Sequence, residues 1–544
     1  MMDGIEMLIQ LIGGLGLFLY GMKLMGDGLE NAAGENLKNI LEKVTSNKFM
    51  GVLVGAIVTA IIQSSSATSV MVVSFVNAGL MNLTQTVGVT MGANIGTTIT
   101  AQMVTLDFEA IVPLFIGIGA IMLLTVKKKR NKDLSAIILG FGILFLGMST
   151  MSGAMEPLKE SNAFKDVIDI MGNNVFLGIL AGLVATAILQ SSSATTGILV
   201  ALGSTGVIEI EVAIPIILGC NIGTCITAVL ASASGNKSAK KAAFLNVLIK
   251  VVGVIIMLPF IGYLKDVVVY ITPDVGKEIA NAHTIFNVIT SIVLLPFSNV
   301  LVGIVNKIMP GEEELSMDGP IYLDKNLLET PIVAITQVLK ETIRMGEISK
   351  TNVELSMRAF IDNDEEKIKK VYENEEIINT LEKAITNYLV QLSSHELPES
   401  DSKILSSTFH VINDLERIGD HAKNIVELAT EKISNNVKIA PQAREEVLHM
   451  YDRTIEAVQI ALDSYKNKDA NIAQSIKPIE EKINKYAKVL RENNMTRLNE
   501  RICNANASTI YLDLISNLER IGDHATNISE WVIFSITGSH DNKK

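Results

Sequence analysis

The stretch Gln63-Ser64-Ser65-Ser66-Ala67-Thr68 interrupts a long apolar run, and Gln190-Ser191-Ser192-Ser193-Ala194-Thr195 repeats it letter for letter 127 positions later. The apolar approach is echoed too, with Thr186-Ala187-Ile188-Leu189 answering Thr59-Ala60-Ile61-Ile62. A second motif keeps the same spacing: Gly92-Ala93-Asn94-Ile95-Gly96-Thr97-Thr98 is matched by Gly219-Cys220-Asn221-Ile222-Gly223-Thr224-Cys225. Two motifs sharing one offset mean that the chain contains a duplication. Unsatisfied hydroxyls and amides cost several kcal/mol in hydrocarbon, and polar clusters at membrane depth are tolerated where protein or a water-filled cavity surrounds them. Small polar residues also join membrane helices without binding anything. Matching polar breaks in two halves, however, are the pattern of a secondary transporter with its site at the repeat interface.

Charge divides the chain. Residues 1–310 hold equal numbers of basic and acidic side chains, so the whole net charge of −12 falls on the remainder. An apolar membrane part (1–310) followed by an acidic soluble part is the expected organisation, and the acidic balance argues against nucleic acid as a partner. Repeat one is read as 5–130 and repeat two as 134–308, the latter opening in register because Gly140-Phe141-Gly142 through Gly147-Met148 mirrors Gly14-Leu15-Gly16 through Gly21-Met22. Within repeat one, 5–25 crosses the membrane, 26–50 is a loop bearing Lys38, Lys43 and Lys48, 51–82 is a re-entrant hairpin, and 86–104 and 111–126 cross. In repeat two, 175–205 is the second hairpin, while 212–233, 242–264 and 282–306 cross. Placing Lys127–Lys132 in the cytoplasm puts Lys237, Lys240, Lys241 and Lys307 there as well and leaves Asp107, Glu109, Glu209 and Glu211 outside, as the positive-inside rule requires. Three crossings per repeat make the repeats inverted, with the N-terminus outside and the C-terminal part in the cytoplasm. Lys250 lies well inside a span and is read as snorkelling toward an interface.

Beyond a linker at 311–325, residues 326–536 are charged and helical in periodicity, with a short polar tail at 537–544. This part also repeats: Leu415-Glu416-Arg417-Ile418-Gly419-Asp420-His421-Ala422 recurs as Leu518-Glu519-Arg520-Ile521-Gly522-Asp523-His524-Ala525. Two antiparallel three-helix units account for its length. Cys220, Cys225 and Cys503 show no spacing for a disulfide framework or metal cage. Asp3 and Glu6 precede the first apolar segment and no basic residue comes before Lys23, which argues against a cleaved signal peptide. No nucleophile and base pairing, Walker motif or dinucleotide fingerprint is present, so an enzyme is not expected.

The doubled Gln-Ser-Ser-Ser, the paired Gly-x-Asn-Ile-Gly-Thr and His283-Thr284-Ile285-Phe286-Asn287 resemble the sodium/phosphate cotransporter family, the type II class and its bacterial relatives. The rest resembles a PhoU domain, whose doubled Glu-x-x-x-Asp motifs bind metal ions. The fold so implied is all-α: a polytopic membrane protein of two inverted repeats, each with a re-entrant helical hairpin, followed by a soluble PhoU-like helical bundle. The implied activity is sodium-dependent symport of inorganic phosphate across the plasma membrane, regulated by the tail, with the lipid bilayer as surroundings and a homo-oligomer compatible with it. Phosphate and sodium would be held by Gln63, Ser64, Ser65, Ser66, Thr68 and Asn94 of one repeat and by Gln190, Ser191, Ser192, Ser193, Thr195 and Asn221 of the other. Hydroxyls, amides and open helix N-termini supply donors to an anion, and hydroxyl and carbonyl oxygens suit sodium. Glu416 and Asp420, like Glu519 and Asp523, stand four apart on one helix face, a spacing that serves surface ion pairs or a divalent or iron-type metal. His283 is read as structural before functional, and Asn246 and Asn287 as helix contacts. Another anion as cargo, such as sulfate or a dicarboxylate, and a non-transporting membrane phosphate sensor stay open at this point.

Overall fold

The computed structural model describes residues 4–42, 47–233, 235–311, 318–395, 397 and 399–538. It separates into two compact units, Met1–Glu314 and Leu315–Lys544. Among the described residues all regular structure is helical.

The first repeat runs through α1 (Gly4–Glu42), α2 (Lys48–Ile62), α3 (Ser65–Asn77), α4 (Leu83–Gly96), α5 (Thr98–Val104) and α6 (Val112–Thr125). The second runs through α7 (Lys129–Met155), α8 (Asn162–Gly172), α9 (Val175–Leu189), α10 (Ser192–Ser204), α11 (Ile210–Gly223) and α12 (Cys225–Ser232). Then come α13 (Lys237–Met257), α14 (Ile261–Ile271), α15 (Val275–Leu294) and α16 (Ser298–Ile308). Leu258-Pro259-Phe260 and Leu295-Pro296-Phe297 break the last two spans as single 3₁₀ turns, since a proline inside a helix removes an N–H and crowds the preceding carbonyl. Among the described residues five helical segments are long and apolar enough to cross a membrane: 5–33, 129–160, 210–232, 237–271 and 275–308. A further pair, α8 and α9, is bent by 115°.

Glycine sets the packing. A Cβ on Gly55 would fall 2.2 Å from Val89 O, and one on Gly92 would fall 2.1 Å from Val52 O. The equivalent pairs of the second repeat are as tight, Gly182 with Ile216 O at 2.0 Å and Gly219 with Ile179 O at 1.9 Å. Gly92 against Val52 and Gly96 against Ala56 advance together along both chains, so α4 runs parallel to α2 and α11 parallel to α9, in the close contact that small residues four apart permit. Between the repeats, α1 and α7 pack antiparallel through reciprocal glycines, Gly14 with Gly147 and Gly21 with Gly140. These helices hold equivalent places in the two copies and point in opposite directions.

Three readings from sequence change here. The segment 129–160, not counted among the crossings of repeat two, is long and apolar enough to span. Residues 26–42 are not loop but the continuation of α1, whose close packing on α7 still holds at Gly28, where a Cβ would fall 2.8 Å from Asp133 O; Lys43 lies outside the described residues. The 111–126 crossing is only 14 residues of helix, about 21 Å at 1.5 Å per residue and shorter than a hydrocarbon core of about 30 Å.

The second unit contains α17 (Pro331–Asp362), α18 (Glu365–Ser393), α19 (Glu399–Ser434), α20 (Pro441–Asn467), the short α21 (Ala470–Gln474), α22 (Lys477–Asn499) and α23 (Ala505–Thr537). Helices α17, α18 and α19 pack on one another, as do α20, α22 and α23, and α19 lies against α23. This is a bundle of two three-helix units. Residues 312–317 of the linker and 539–544 of the polar tail lie outside the described residues.

Candidate functional site

Each Gln-Ser-Ser-Ser forms the tip of a helical hairpin, and both tips are built in the same way. Gln63 closes α2 with φ 57° and Gln190 closes α9 with φ 53°, the left-handed conformation that reverses a chain at a helix end. Ser64 then caps α3 through Oγ, which accepts from Ala67 N at 3.1 Å, and Ser191 caps α10 by the same bond to Ala194 N at 3.1 Å. Thr59 Oγ1 donates to Thr68 Oγ1 at 2.9 Å across the first hairpin, and Thr186 Oγ1 to Thr195 Oγ1 at 3.1 Å across the second. At 15 and 13 residues, or about 22 and 20 Å, the arms of the first hairpin are too short to cross a hydrocarbon core. They turn back within it.

The tips meet. Ser66 Oγ donates to Gln190 O at 3.3 Å, and Thr97 Oγ1 lies 3.4 Å from Ser193 Oγ. Thr97 is where α4 gives way to α5, and Thr224 is the equivalent break between α11 and α12. Parallel packing of α2 and α4 brings this break beside the hairpin turn, so that Thr100 Oγ1 donates to Gln63 Oε1 at 2.8 Å. Gln63, Ser65, Thr68, Asn94, Ser192, Ser193, Thr195 and Asn221 are buried, Ser64, Ser66 and Ser191 are partly covered, and Gln190 is exposed. The Asn221 amide is turned to its own helix and donates to Ile217 O at 3.1 Å. The first turns of α3 and α10 leave N–H groups without an intrahelical partner, and the positive ends of two helix dipoles point into the same polar zone.

Sequence reasoning did not single out Thr97, Thr100 or Gln102. Thr97 and Thr100 join the tips as described, and Gln102 Nε2 donates to Thr284 Oγ1 at 2.9 Å and to Asn281 Oδ1 at 3.2 Å, linking α5 to α15. The signal available was position: all three follow the Asn-Ile-Gly break. The snorkelling reading of Lys250 is not supported, because the residue is only 4% exposed and so buried within the protein.

In the second unit the acidic pairs engage arginine. Arg417 reaches Glu416 at 3.6 Å and Asp420 at 3.3 Å, Arg491 of α22 pairs with Glu519, and Arg520 lies 3.8 Å from Asp523. Burial, reinforced by neighbouring carboxylates, raises the carboxyls of Glu416 and Asp523. Glu375 of α18, buried beside Asp420, is pushed up to about 7, chiefly by burial and then by that neighbour's charge. Among the described residues no group of three or more His, Cys, Asp or Glu side chains is placed to hold a metal ion, so the expected metal site finds no support in the geometry. The pairs sit on separate helices, and their charge is answered by guanidinium groups. The duplicated histidines, which sequence reasoning gave no role, face each other instead. The rings of His421 and His524 lie 5.6 Å apart between α19 and α23, with Nδ1 atoms 2.8 Å from Asn517 Oδ1 and Asp414 Oδ1 respectively.

Comparison with known proteins agrees with this division. The profile of the Na+/Pi-cotransporter family matches residues 17–153 and 154–272, and that of the PhoU domain matches 342–429 and 447–532. The Escherichia coli (strain K12) protein named "Putative inorganic phosphate export protein YjbB" is 24% identical over 517 residues, 94% of this chain and 95% of that protein. The Bacillus subtilis (strain 168) protein YqeW, named as uncharacterized, is 32% identical over 295 residues, 54% of this chain and 96% of that protein. A phosphate-specific transport system accessory protein PhoU homolog from Xylella fastidiosa (strain Temecula1) is 29% identical over 204 residues, 38% of this chain and 84% of that protein.

Proposed function

The chain belongs to the Na+/Pi-cotransporter family and carries a C-terminal PhoU domain, and from that premise we propose that it transports phosphate as a sodium-coupled symporter whose substrate and sodium sites lie between the two Gln-Ser-Ser-Ser tips. It is a transporter and not an enzyme. The observation that carries the reading is the contact of the tips, Ser66 Oγ with Gln190 O and Thr97 Oγ1 with Ser193 Oγ. A phosphate there would take hydrogen bonds from the Ser65, Ser66, Ser192 and Ser193 hydroxyls and from the open N–H groups that start α3 and α10. Gln63, Gln190, Asn94, Asn221, Ser64, Ser191, Thr68 and Thr195 complete the polar zone, their oxygens suited to sodium. None of these side chains is basic. A dianion brought to this depth needs positive charge, which sodium ions supply; coupling then follows from the cost of burying the anion without them.

The antiparallel α1 and α7 support inverted insertion of the repeats in the plasma membrane. The exposed Lys127–Lys132 segment supports a cytoplasmic side for that loop and, by the span count, for the PhoU domain. We assign that domain a regulatory role, gating transport when phosphate is plentiful.

Proteoliposomes holding the full chain test the reading. Labelled phosphate should enter with an inward sodium gradient and not when potassium replaces sodium; equal flux in both conditions would refute sodium coupling. Excess sulfate or dicarboxylate should leave phosphate uptake unchanged, which separates phosphate from the other anions. The export named for the Escherichia coli relative, which shares both parts of this chain, favours a second reading in which net flux is outward. Vesicles loaded with phosphate distinguish the two: a symporter runs outward only when the sodium gradient is reversed, whereas a dedicated exporter releases phosphate against it.

A further inference from the structure

The buried polar atoms of the membrane unit that lack a hydrogen-bond partner among the described residues fall on four helices. They are Ser74 Oγ on α3, Thr196 Oγ1 on α10, Asn246 Oδ1 on α13 and both ring nitrogens of His283 on α15. These helices pack together, α13 on α3, α15 on α10, and α13 on α15, and α3 and α10 are the helices that begin at the two tips. Lys250 projects into this layer from α13, one turn beyond Asn246 and on the same face. No hydrogen bond or ion pair engages its ammonium among the described residues. Within electrostatic reach it has the Cys225 thiol and the His283 ring, and no carboxylate among the described residues. His283 is 1% exposed.

A buried ammonium without a counter-ion or an acceptor is costly, and ionisable groups kept at membrane depth pair with something. Among the described residues the protein offers no partner, so the partner arrives with the cargo. The unsatisfied atoms also say what kind of cargo. Lys250 is a pure donor, as an anion requires, but Asn246 Oδ1 and one nitrogen of a neutral His283 are acceptors. An acceptor facing an oxyanion is repulsive unless that anion carries an O–H group. Hydrogen phosphate has one at neutral pH and sulfate has none.

We propose that Lys250, Asn246 and His283 form a second anion subsite on the transport path, in which Lys250 is the fixed cationic partner of the phosphate and Asn246 and His283 select its protonated oxygen. This inference rests on the phosphate-transport reading and deepens it, because it names the residues that would discriminate against fully deprotonated oxyanions.

Binding of labelled phosphate to the purified full chain in detergent, with sulfate as competitor, tests it. Lys250→Gln should weaken phosphate binding about ten- to a hundredfold, the range for losing a hydrogen bond to a charged group, and Lys250→Arg should recover part of it. Asn246→Leu, similar in size but lacking the acceptor, should weaken phosphate alone, about tenfold, and so narrow the ratio of phosphate to sulfate affinity. A purely structural role would lower the melting temperature of the ligand-free protein and leave that ratio untouched. Wild-type phosphate affinity in Lys250→Gln overturns the proposal, and so does a wild-type ratio in Asn246→Leu, which decides the matter alone should the lysine variant not fold. If the wild-type chain binds no phosphate, the transport reading falls with it; if the wild type binds and Lys250→Gln binds equally, only the subsite falls.

Discussion

Ser65 and Ser192 occupy the same position in the two tips and are almost equally buried, at 4% and 5% exposure. Each removes one hydroxyl when changed to alanine, and alanine favours helix, so the α3 and α10 starts survive. Ser65→Ala and Ser192→Ala should each weaken sodium-dependent phosphate uptake about ten- to a hundredfold, the equivalent of about 1.5–3 kcal/mol for a hydrogen bond to a charged ligand, while surface expression holds. Loss of expression at normal phosphate affinity in both variants would mean that the serines only join helices. In the second unit, Glu375 provides a test of a different kind. Its carboxyl is held near 7 in the fold against an ordinary 4.5, so the folded state keeps a proton that the unfolded chain has released. Stability contributed by this group is therefore fully present below about 4.5, falls as pH rises to about 7, and is constant above. Glu375→Gln mimics the protonated form. Its melting temperature for the helical bundle should match wild type at pH 4.5 and exceed it at pH 8; equal values at both would show that the group is not desolvated.

Parallel pairing of α2 with α4 and of α9 with α11 is what sets each helix break beside its hairpin tip, and the pairing depends on backbone meeting backbone. At Gly92 and Gly219 the obstructing atoms are the carbonyl oxygens of Val52 and Ile179, which cannot swing aside as a side chain can. Gly92→Leu and Gly219→Leu should each destabilise by more than the 1–3 kcal/mol usual for overpacking and reduce the yield of folded protein. Gly117, with nothing within 4 Å of a built Cβ, is the control: Gly117→Ala should be neutral or slightly stabilising by gel-filtration yield and thermal melt. Much of this arrangement was legible in the sequence because a duplication repeats every constraint; the two hairpins, the two breaks and the doubled three-helix bundle all follow from letters that recur at fixed spacing. Hydropathy says that a residue is inside but not what stands opposite it. For that reason the extension of α1 along α7, the enclosure of Lys250 and the link from Gln63 to Thr100 were not readable. The tail carboxylates show the same limit, since their spacing suits a metal and their neighbours are arginines.

At the scale of the whole molecule, loop charge fixes orientation and division into units fixes what can be removed. With the Lys127–Lys132 segment exposed and assigned to the cytoplasm, a cysteine placed at Asn131 in a background lacking Cys220, Cys225 and Cys503 should resist an impermeant maleimide in intact cells and react once they are opened. Labelling in intact cells would invert the topology. The second test uses the separateness of the units. Buried apolar clusters around Phe18, Met25 and Leu144 and around Val87 and Leu245 belong wholly to the membrane unit, and that around Ala359, Val371 and Val426 belongs wholly to the second. A chain ending at Pro310 therefore keeps the cores that hold its hairpin tips and should still insert and carry phosphate. If the PhoU domain gates the transporter, uptake by the full chain should fall in cells preloaded with phosphate, and uptake by the shortened chain should not. Should both respond alike to preloading, the gate lies within the membrane unit, and the acidic bundle serves something other than the control of flux.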